Sequence, residues 1–487
     1  MRQLSGLDAA FLSMELSNAP MHVGSLAIYD PSTAPNGKVG FKQILSQIRD
    51  RGRSVRSMTE VIQSVPLDLD YPYWRSDGNF DAEFHVRHIS LPKPGDWRQL
   101  CIQISRLHAR PIDRSRPLWE MYVIEGLDNI EGYPKGCFAV FSKVHHAAID
   151  GASGTEMAAA LHDLSPVVPA QSADAGAKIP DDAKPSSARL LFNAQINNLR
   201  QPLRFLGVAR NTLPKVAKTI TGLAKGDLTR IKDVPRTRFN TKVSPHRVFD
   251  SVKFDLSEAR QIKNSVEGVT INDVALSVCG GALRHYLLDK NELPEKSLVA
   301  AAPINVRTED KKGAGGNEVS NMSVKLCTDI ADPKERLLAV NQGTRNAKSL
   351  TAAIGAKTMT DYAQLAPYAL TGAAARVSSR FGLADRGQPN FNCSVTNVPG
   401  PQVPLYFQGA KMLGNYGVGP VLDGIGIFNI INSYCGELSV SFTSCRDMIP
   451  DPAFYADCIR KSFQELYSST VGDKSAPKVK RKKRSKK

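Results

Sequence analysis

A short apolar run that ends directly in two histidines constrains the fold more than any other feature of this chain. Residues 137–144 are apolar enough to form a buried strand, and His145 and His146 follow at its end. Beyond Gly151, apolar residues recur at helical spacing as far as Leu164. The pattern predicts a strand, a loop and a helix, with His146 and Asp150 in the loop.

The loop contains the residue types of a general base and its support. An imidazole titrates near neutrality and can accept a proton from a hydroxyl. Asp150 lies four residues after His146, and Gly151 lets the backbone leave the turn at close quarters. A histidine and an aspartate in one loop can also be purely structural, so the spacing alone leaves both interpretations open.

The histidines and cysteines do not predict a metal site. The side chains of His145 and His146 diverge if the chain is extended there. Neither His85 with His88 nor any cysteine pair completes a zinc-binding set. The eight cysteines lack C-x-x-C spacing, which is typical of reduced thiols, and no disulfide is expected.

Six short motifs carry a resemblance to a known family. In chain order they are Met21-His22-Val23-Gly24, Pro117-Leu118-Trp119-Glu120, His145-His146 with Asp150-Gly151, Asn272-Asp273-Val274, Pro303-Ile304-Asn305-Val306-Arg307 and Asn397-Val398-Pro399-Gly400-Pro401. The histidine motif resembles the signature of the chloramphenicol acetyltransferase-like superfamily, which includes the condensation domains of peptide synthetases. All six together resemble the bifunctional wax ester synthase/diacylglycerol acyltransferase family. The resemblance runs from about residue 4 to about residue 452 and is weak between about 165 and 239.

The resemblance implies roles for individual residues. His146 would be the proton acceptor, His145 an auxiliary residue, and Asp150 a structural support that pairs with an arginine, for which Arg307 is the candidate. Gly151 and three further residues would contact substrate; these are Asn272, Asn397 and Trp119. Helix capping, turn formation and anchoring of a strand are the alternative roles for the two asparagines and the tryptophan.

The resemblance also implies the fold class and the activity. The fold would be α/β, with two chloramphenicol acetyltransferase-like domains, each a mixed sheet with helices, and a tunnel at their interface. The activity would be transfer of a fatty acyl group from acyl-CoA, a substrate rather than a cofactor, to diacylglycerol, a long-chain alcohol or both. An acyltransferase for another alcohol or an amine, and a non-catalytic lipid-surface binding relative, are the alternatives. The sequence does not choose between the two acceptors.

Composition changes divide the chain into four parts. We predict an N-terminal acyltransferase domain over 1–164, a linker with basic amphipathic helices over 165–237, a C-terminal domain over 238–472 and a disordered basic tail over 473–487. In the C-terminal part, patterns predict strands over 251–255, 297–302, 391–396 and 438–443 and a helix over 271–287, capped near Thr270 or Asn272.

The linker contains an apolar stripe on a basic background. Apolar residues recur every three or four positions from Phe192 to Leu223, and the polar positions from Arg189 to Lys225 include basic but no acidic residues. The pattern predicts helices that are bent or broken at Pro202 and Pro214. A helix in a membrane interface and a connector packed between domains explain the stripe equally well.

The positive charge is concentrated at the C-terminus. Residues 478–487 carry eight basic side chains and no acid, half of the formal net charge of +16. Such a run favours an anionic membrane over nucleic acid as partner, because no nucleic-acid recognition motif accompanies it. Since no apolar stretch of spanning length or signal peptide is evident, we expect a cytoplasmic protein, peripherally associated with the inner membrane face or lipid droplets.

Overall fold

The computed structural model describes residues 1–78, 80–149, 151–169, 182–224, 231, 233–305, 319–354 and 367–472. Three elements of the sequence interpretation therefore lie outside the described residues: Asp150, Arg307 and the basic tail.

Fifteen strands and twelve α-helices are described. The strands are β1 (Arg2–Gln3), β2 (His22–Asp30), β3 (Glu60–Gln63), β4 (Tyr73–Ser76), β5 (Val86–Ser90), β6 (Trp119–Leu127), β7 (Cys137–His145), β8 (Arg247–Asp255), β9 (Val299–Asn305), β10 (Val319–Lys325), β11 (Cys393–Pro399), β12 (Tyr406–Phe407), β13 (Ala410–Val418), β14 (Ile427–Tyr434) and β15 (Glu437–Cys445). The helices are α1 (Gly6–Met14), α2 (Phe41–Gly52), α3 (Arg56–Thr59), α4 (Ala82–His85), α5 (Trp97–His108), α6 (Gly151–Leu161), α7 (Ser187–Ala224), α8 (Leu256–Ser265), α9 (Ile271–Asp289), α10 (Pro333–Ile354), α11 (Tyr368–Arg380) and α12 (Pro452–Thr470).

The first large sheet has the order β12-β13-β2-β7-β6-β5 and holds β7 in its interior. Strand β7 reads as a nearly continuous apolar run because both of its faces are buried. One face packs in a cluster with Val140 and Val144, and the other packs in a cluster with Ala139 and Phe141. The predicted strand over 137–144 is therefore confirmed.

Two strands of this sheet come from the distant C-terminal half of the sequence. Strand β13 pairs antiparallel with β2, from Lys411 opposite Asp30 to Val418 opposite Gly24, and a bulge interrupts the register between Met412 and Gly414. This pairing satisfies the backbone edge of β2 that would otherwise be open. The sheet that carries the histidines thus needs both halves of the chain.

The second large sheet has the mixed order β10-β9-β11-β14-β15-β8. Helix α9 packs into its core, where Val274, Leu283 and Leu287 are fully buried. The Thr270 side chain caps α9, and Asp273 accepts a hydrogen bond from the Thr270 backbone N–H. The four strands and the helix predicted in this part are confirmed to within a few residues, and Thr270 rather than Asn272 is the cap.

Helix α7 continues through both of its prolines. The sequence predicts helices that are bent or broken at Pro202 and Pro214, and the structure has one unbroken helix of 38 residues, Ser187–Ala224. Each proline removes the N–H that would pair with the carbonyl four residues earlier, on Asn198 or Arg210. Both of these residues are exposed, so water can satisfy the carbonyls and the helix continues.

No helix within the described ranges combines the length and the apolar character needed to cross a bilayer. All eight cysteines carry free thiols. Cys435 is exposed, and the other seven are buried.

Candidate active site

The two histidines lie where β7 ends beside the start of β2. His22 and His145 are directly opposite each other in the antiparallel pair. The backbone N–H of His145 donates to the Leu118 carbonyl at 2.9 Å, and that of His146 donates to the Met21 carbonyl at 2.8 Å. Backbone hydrogen bonds to carbonyls of two other sequence motifs therefore fix the position of both histidines.

Protein groups face both nitrogens of the His145 ring, and Nδ1 is hydrogen-bonded. Its Nδ1 accepts the backbone N–H of Ala147 at 3.0 Å, so in the neutral ring Nε2 carries the hydrogen. That Nε2 lies 3.6 Å from Glu15 Oε2, which is longer than a hydrogen bond but close enough for electrostatic attraction. Because the ring is also almost fully buried, His145 is placed to hold the turn rather than to meet substrate.

The His146 ring has a different environment. It remains partly exposed and stacks on the Phe11 ring of α1, with a centroid distance of 4.1 Å and an interplanar angle of 24°. This stack fixes the plane of the imidazole, as the orientation of a general base requires. The structure therefore distinguishes two adjacent residues of the same type by burial and by their contacts.

A buried carboxylate organises this corner of the sheet, and the sequence analysis missed it. Glu15 Oε1 accepts the Met21 N–H at 3.1 Å and lies 3.2 Å from His22 Nε2. Glu15 Oε2 accepts the Arg114 Nε–H at 3.0 Å and a second hydrogen bond from the same guanidinium. The available signal was an acidic residue at the end of an apolar helix, six residues before Met21-His22.

The protonation states of Glu15 and His22 follow from these contacts. Burial raises the pKa of Glu15, but the contacts with His145, His22 and Arg114 outweigh it and hold the pKa well below its usual value. Burial lowers the pKa of His22 to about 4, because Glu15 offsets the desolvation only in part. At neutral pH the site therefore contains an ionised Glu15 beside a neutral His22.

A second buried network supports β7 two residues before His145. The fully buried Lys143 Nζ donates to the carbonyls of Leu107 and Arg110 at 3.1 and 2.9 Å and pairs with Glu120 Oε2 at 3.0 Å. Burial lowers the pKa of Lys143, and Glu120 counteracts it. The ammonium group of Lys143 is hydrogen-bonded at the C-terminal end of α5 and paired with Glu120 of β6. It therefore connects β7 with α5 and β6 beneath the histidines.

Comparisons with known proteins identify the family of the chain. The wax ester synthase/diacylglycerol acyltransferase catalytic domain matches residues 4–275, and the C-terminal domain of the same family matches residues 315–467. The chain belongs to the wax ester synthase/diacylglycerol acyltransferase family. It is an acyltransferase of this family.

Three proteins illustrate the similarity. A candidate diacylglycerol O-acyltransferase of Mycobacterium tuberculosis (strain CDC 1551 / Oshkosh) is 32% identical over 467 residues, which cover 96% of this chain and 90% of that protein. The solved wax ester synthase/diacylglycerol acyltransferase from Marinobacter aquaeolei VT8 superposes with a TM-score of 0.65 at 28% identity, over 96% of this chain and 100% of that one. The first condensation domain of the CDA synthetase has a TM-score of 0.54 at 14% identity, over 96% and 97% of the two chains, and shares the fold.

The predicted α/β acyltransferase fold is confirmed, whereas the individual site assignments stay predictions. Trp119 lies in the core, where its indole donates to the Met58 carbonyl at 2.9 Å and stacks on His85 at 4.4 Å. This position supports its alternative role as an anchor of β6.

The remaining predicted site residues lie at the ends of regular elements. Gly151 is the first residue of α6, Asn272 is the second residue of α9, and Asn397 lies in β11 opposite Ile431 of β14. Both asparagines are half-buried and belong to the second sheet and its helix, whereas the histidines belong to the first sheet. Across the described ranges, no group of three or more His, Cys, Asp or Glu side chains is arranged to hold a metal ion.

We predict that Glu15→Gln lowers kcat by roughly 10- to 100-fold, because losing the charge releases Arg114 and loosens the Met21 segment that holds His146. KM for acyl-CoA should stay near the wild-type value. Steady-state kinetics based on released coenzyme A thiol measures both constants.

The matched control is Glu60→Gln, which breaks a more exposed ion pair with Arg2 on another sheet. A Glu15→Gln enzyme with wild-type kcat would show that the carboxylate does not position the histidines.

Proposed function

We propose that this enzyme transfers a fatty acyl group from acyl-CoA to the hydroxyl of diacylglycerol, a long-chain alcohol or both, with His146 as the general base. The assignment rests on one observation: the rings of the two histidines differ in burial and in their contacts. The His145 ring is buried, its Nδ1 accepts a backbone hydrogen bond and its Nε2 faces Glu15, whereas the His146 ring is partly exposed and held in one plane by Phe11.

In the proposed reaction His146 accepts the proton of the acceptor hydroxyl as the oxygen attacks the thioester carbonyl. A carbon–oxygen bond forms, and collapse of the tetrahedral intermediate breaks the carbon–sulfur bond. The imidazolium returns its proton to the coenzyme A sulfur. A covalent acyl-enzyme is not required, because the thioester is already activated and positioning with one base lowers much of the barrier.

The oxyanion of that intermediate needs a hydrogen-bond donor in a water-poor site. Asn272 and Asn397 are the proposed donors, on the basis of the family motifs that contain them. In the same proposal, Asp150 supports the loop structurally by pairing with Arg307, and Gly151 gives the substrate close access to the start of α6. The intact His146 and Asp150 disfavour a non-catalytic role.

The acceptors and products of this reaction are water-insoluble, so the enzyme must meet them at a lipid surface. We place it at the cytoplasmic face of the membrane or on lipid droplets. Two features support this placement: the basic helix α7 and the basic residues 478–487. A cationic amphipathic helix and a polybasic segment each favour an anionic lipid surface.

We expect His146→Ala to lower acyl transfer by roughly 10²- to 10⁴-fold, the usual effect of losing a general base. His145→Ala should be milder in turnover, because it removes support rather than the base. Both variants are measured by coenzyme A release from palmitoyl-CoA with hexadecanol and with dioleoylglycerol, after circular dichroism has shown that they are folded. Wild-type turnover by folded His146→Ala would refute the assignment of the base.

Deletion of residues 478–487 should weaken binding to anionic vesicles at low salt, since each basic side chain near such a surface contributes about 1 kcal/mol. The difference should shrink at high salt as the charges are screened. Activity on detergent-dispersed substrate should stay close to that of the full chain. Vesicle co-sedimentation measures the effect, and equal binding of both proteins at both salt concentrations would exclude the tail as a membrane contact.

A further inference from the structure

The first half of helix α7 turns its apolar residues away from the protein. With about 100° of rotation per residue, Leu190, Ala194 and Asn197 lie on one face, and Phe192, Leu199, Leu203 and Leu206 lie on the opposite face. The first face is attached to the protein, because Leu190 and Ala194 are buried. The second face is exposed, with Leu199 at 78% and Leu203 at 70% of their full accessibility.

The attachment of α7 is specific and sets this orientation. Leu190 and Ala194 pack against Val65 and Tyr73. Asn197 Nδ2 donates to Asp70 Oδ2 at 2.7 Å, and Asn198 Nδ2 donates to the Leu69 carbonyl at 3.1 Å. The helix is thus held by the 65–73 segment with its leucines facing outward, which excludes a connector that buries this part of the stripe.

Two other segments carry exposed leucines near a cavity beneath α7. The cavity, of about 210 Å³, lies between the attached face of α7, the segment 68–71 and the start of α11. Leu67 and Leu370 are next in sequence to residues that line it and are 84% and 65% exposed, whereas Leu199 and Leu203 lie on the outer face of the same helix. We call Leu67, Leu199, Leu203 and Leu370 the leucine rim. Exposed apolar patches of this kind mark interaction sites.

The wall of the cavity leads toward the candidate active site. Tyr71 and Tyr368 line the cavity and meet edge-to-face, with ring centroids 6.3 Å apart. Both pack against the buried cluster that contains Ala147 and is also contacted by Phe11. The Phe11 ring stacks on His146. A path of packed apolar and aromatic side chains therefore connects the wall of the cavity with the proposed base.

The charge of the surrounding helices identifies the partner. Helix α7 contains six basic and no acidic residues, and α11 contains Arg376 and Arg380 and no acid. The described side chains Arg189, Arg200 and Arg210 of α7 are exposed. The acids at the cavity, Asp68 and Asp70, lie on the segment beneath the helix, where Asp70 is paired with Asn197. Apolar side chains ringed by cations are complementary to an anionic phospholipid bilayer.

We propose that the leucine rim inserts into the surface of an anionic bilayer and that the adjoining cavity is the entrance through which the acceptor lipid reaches His146. The inference rests on the proposed function and adds where the lipid enters. The leucines contact the acyl-chain region, the arginines contact the phosphates, and the aromatic path guides the acceptor hydroxyl inward. Acyl-CoA, being water-soluble, does not need this entrance.

The test uses the full-length enzyme with palmitoyl-CoA and two acceptors: dioleoylglycerol embedded in vesicles of phosphatidylcholine and phosphatidylglycerol, and hexanol in solution. The variants are Leu199→Gln/Leu203→Gln and, separately, Leu370→Gln on the other helix. The matched control is Leu164→Gln/Leu288→Gln, two exposed leucines outside the rim, of which Leu164 is 75% exposed.

Both rim variants should lose roughly tenfold or more of vesicle binding and of turnover with embedded dioleoylglycerol, because each loses burial of a leucine side chain in lipid. Their turnover with hexanol should stay within about twofold of wild type, as expected of exposed substitutions that do not alter the fold. The control pair should behave like wild type with both acceptors.

Other outcomes overturn the inference. Rim variants that bind vesicles and use embedded dioleoylglycerol like wild type would exclude docking at this surface. A loss with hexanol as large as the loss with vesicles, or an equal loss in the control pair, would exclude a specific entrance for lipid. Absence of coenzyme A release by wild type with either acceptor would instead contradict the proposed function itself.

Discussion

The buried carboxylate of Glu15 is the contact on which the candidate site depends. It joins the end of α1, the start of β2 and the Arg114 side chain, and it faces the His145 ring. A buried anion is costly unless it is paired, and removing its partners is strongly destabilising. Because the Met21 segment that it holds accepts the His146 N–H, the same contact that neutralises a buried charge also sets the position of the proposed base.

The surrounding fold makes this corner rigid. Strand β7 is central in its sheet, and Lys143 anchors it from below through α5 and Glu120. On the other side, β13 from the C-terminal half completes the sheet beside β2. Both halves of the chain therefore support the histidines together. Strand β2, which lies opposite His145, is itself held by residues about 390 positions later in the chain, as in the hydrogen bond between Ser25 and Asn415. A catalytic geometry needs such support from packed elements rather than from the loop alone.

Features encoded by local patterns could be predicted from the sequence. The apolar run before His145 and the helical spacing after Gly151 located a strand, a turn and a helix correctly, and the candidate caps Thr270 and Asn272 located the start of α9. Long-range features could not be predicted, because no local pattern encodes them. The role of Glu15 depends on partners 6 to 130 residues away, and the pairing of β13 with β2 crosses almost the whole chain. The prolines of α7 predict a bend or a break because each removes one hydrogen bond of the helix backbone. Exposure to water at those turns satisfies the carbonyls that lose their partner, so the helix continues.

The position of the hydrogen on the His145 ring tests most directly whether His145 holds the turn while His146 acts as the base. Nitrogen-15 NMR of the protein labelled in its histidine rings, with His145→Gln and His146→Gln used for assignment, reports which ring nitrogen carries the hydrogen. The contacts predict that His145 at pH 7 carries it on Nε2, facing Glu15, with a bare Nδ1 that accepts the Ala147 N–H. A hydrogen on His145 Nδ1 would be incompatible with that acceptor role and would contradict the assignment of His145 as the residue that holds the turn.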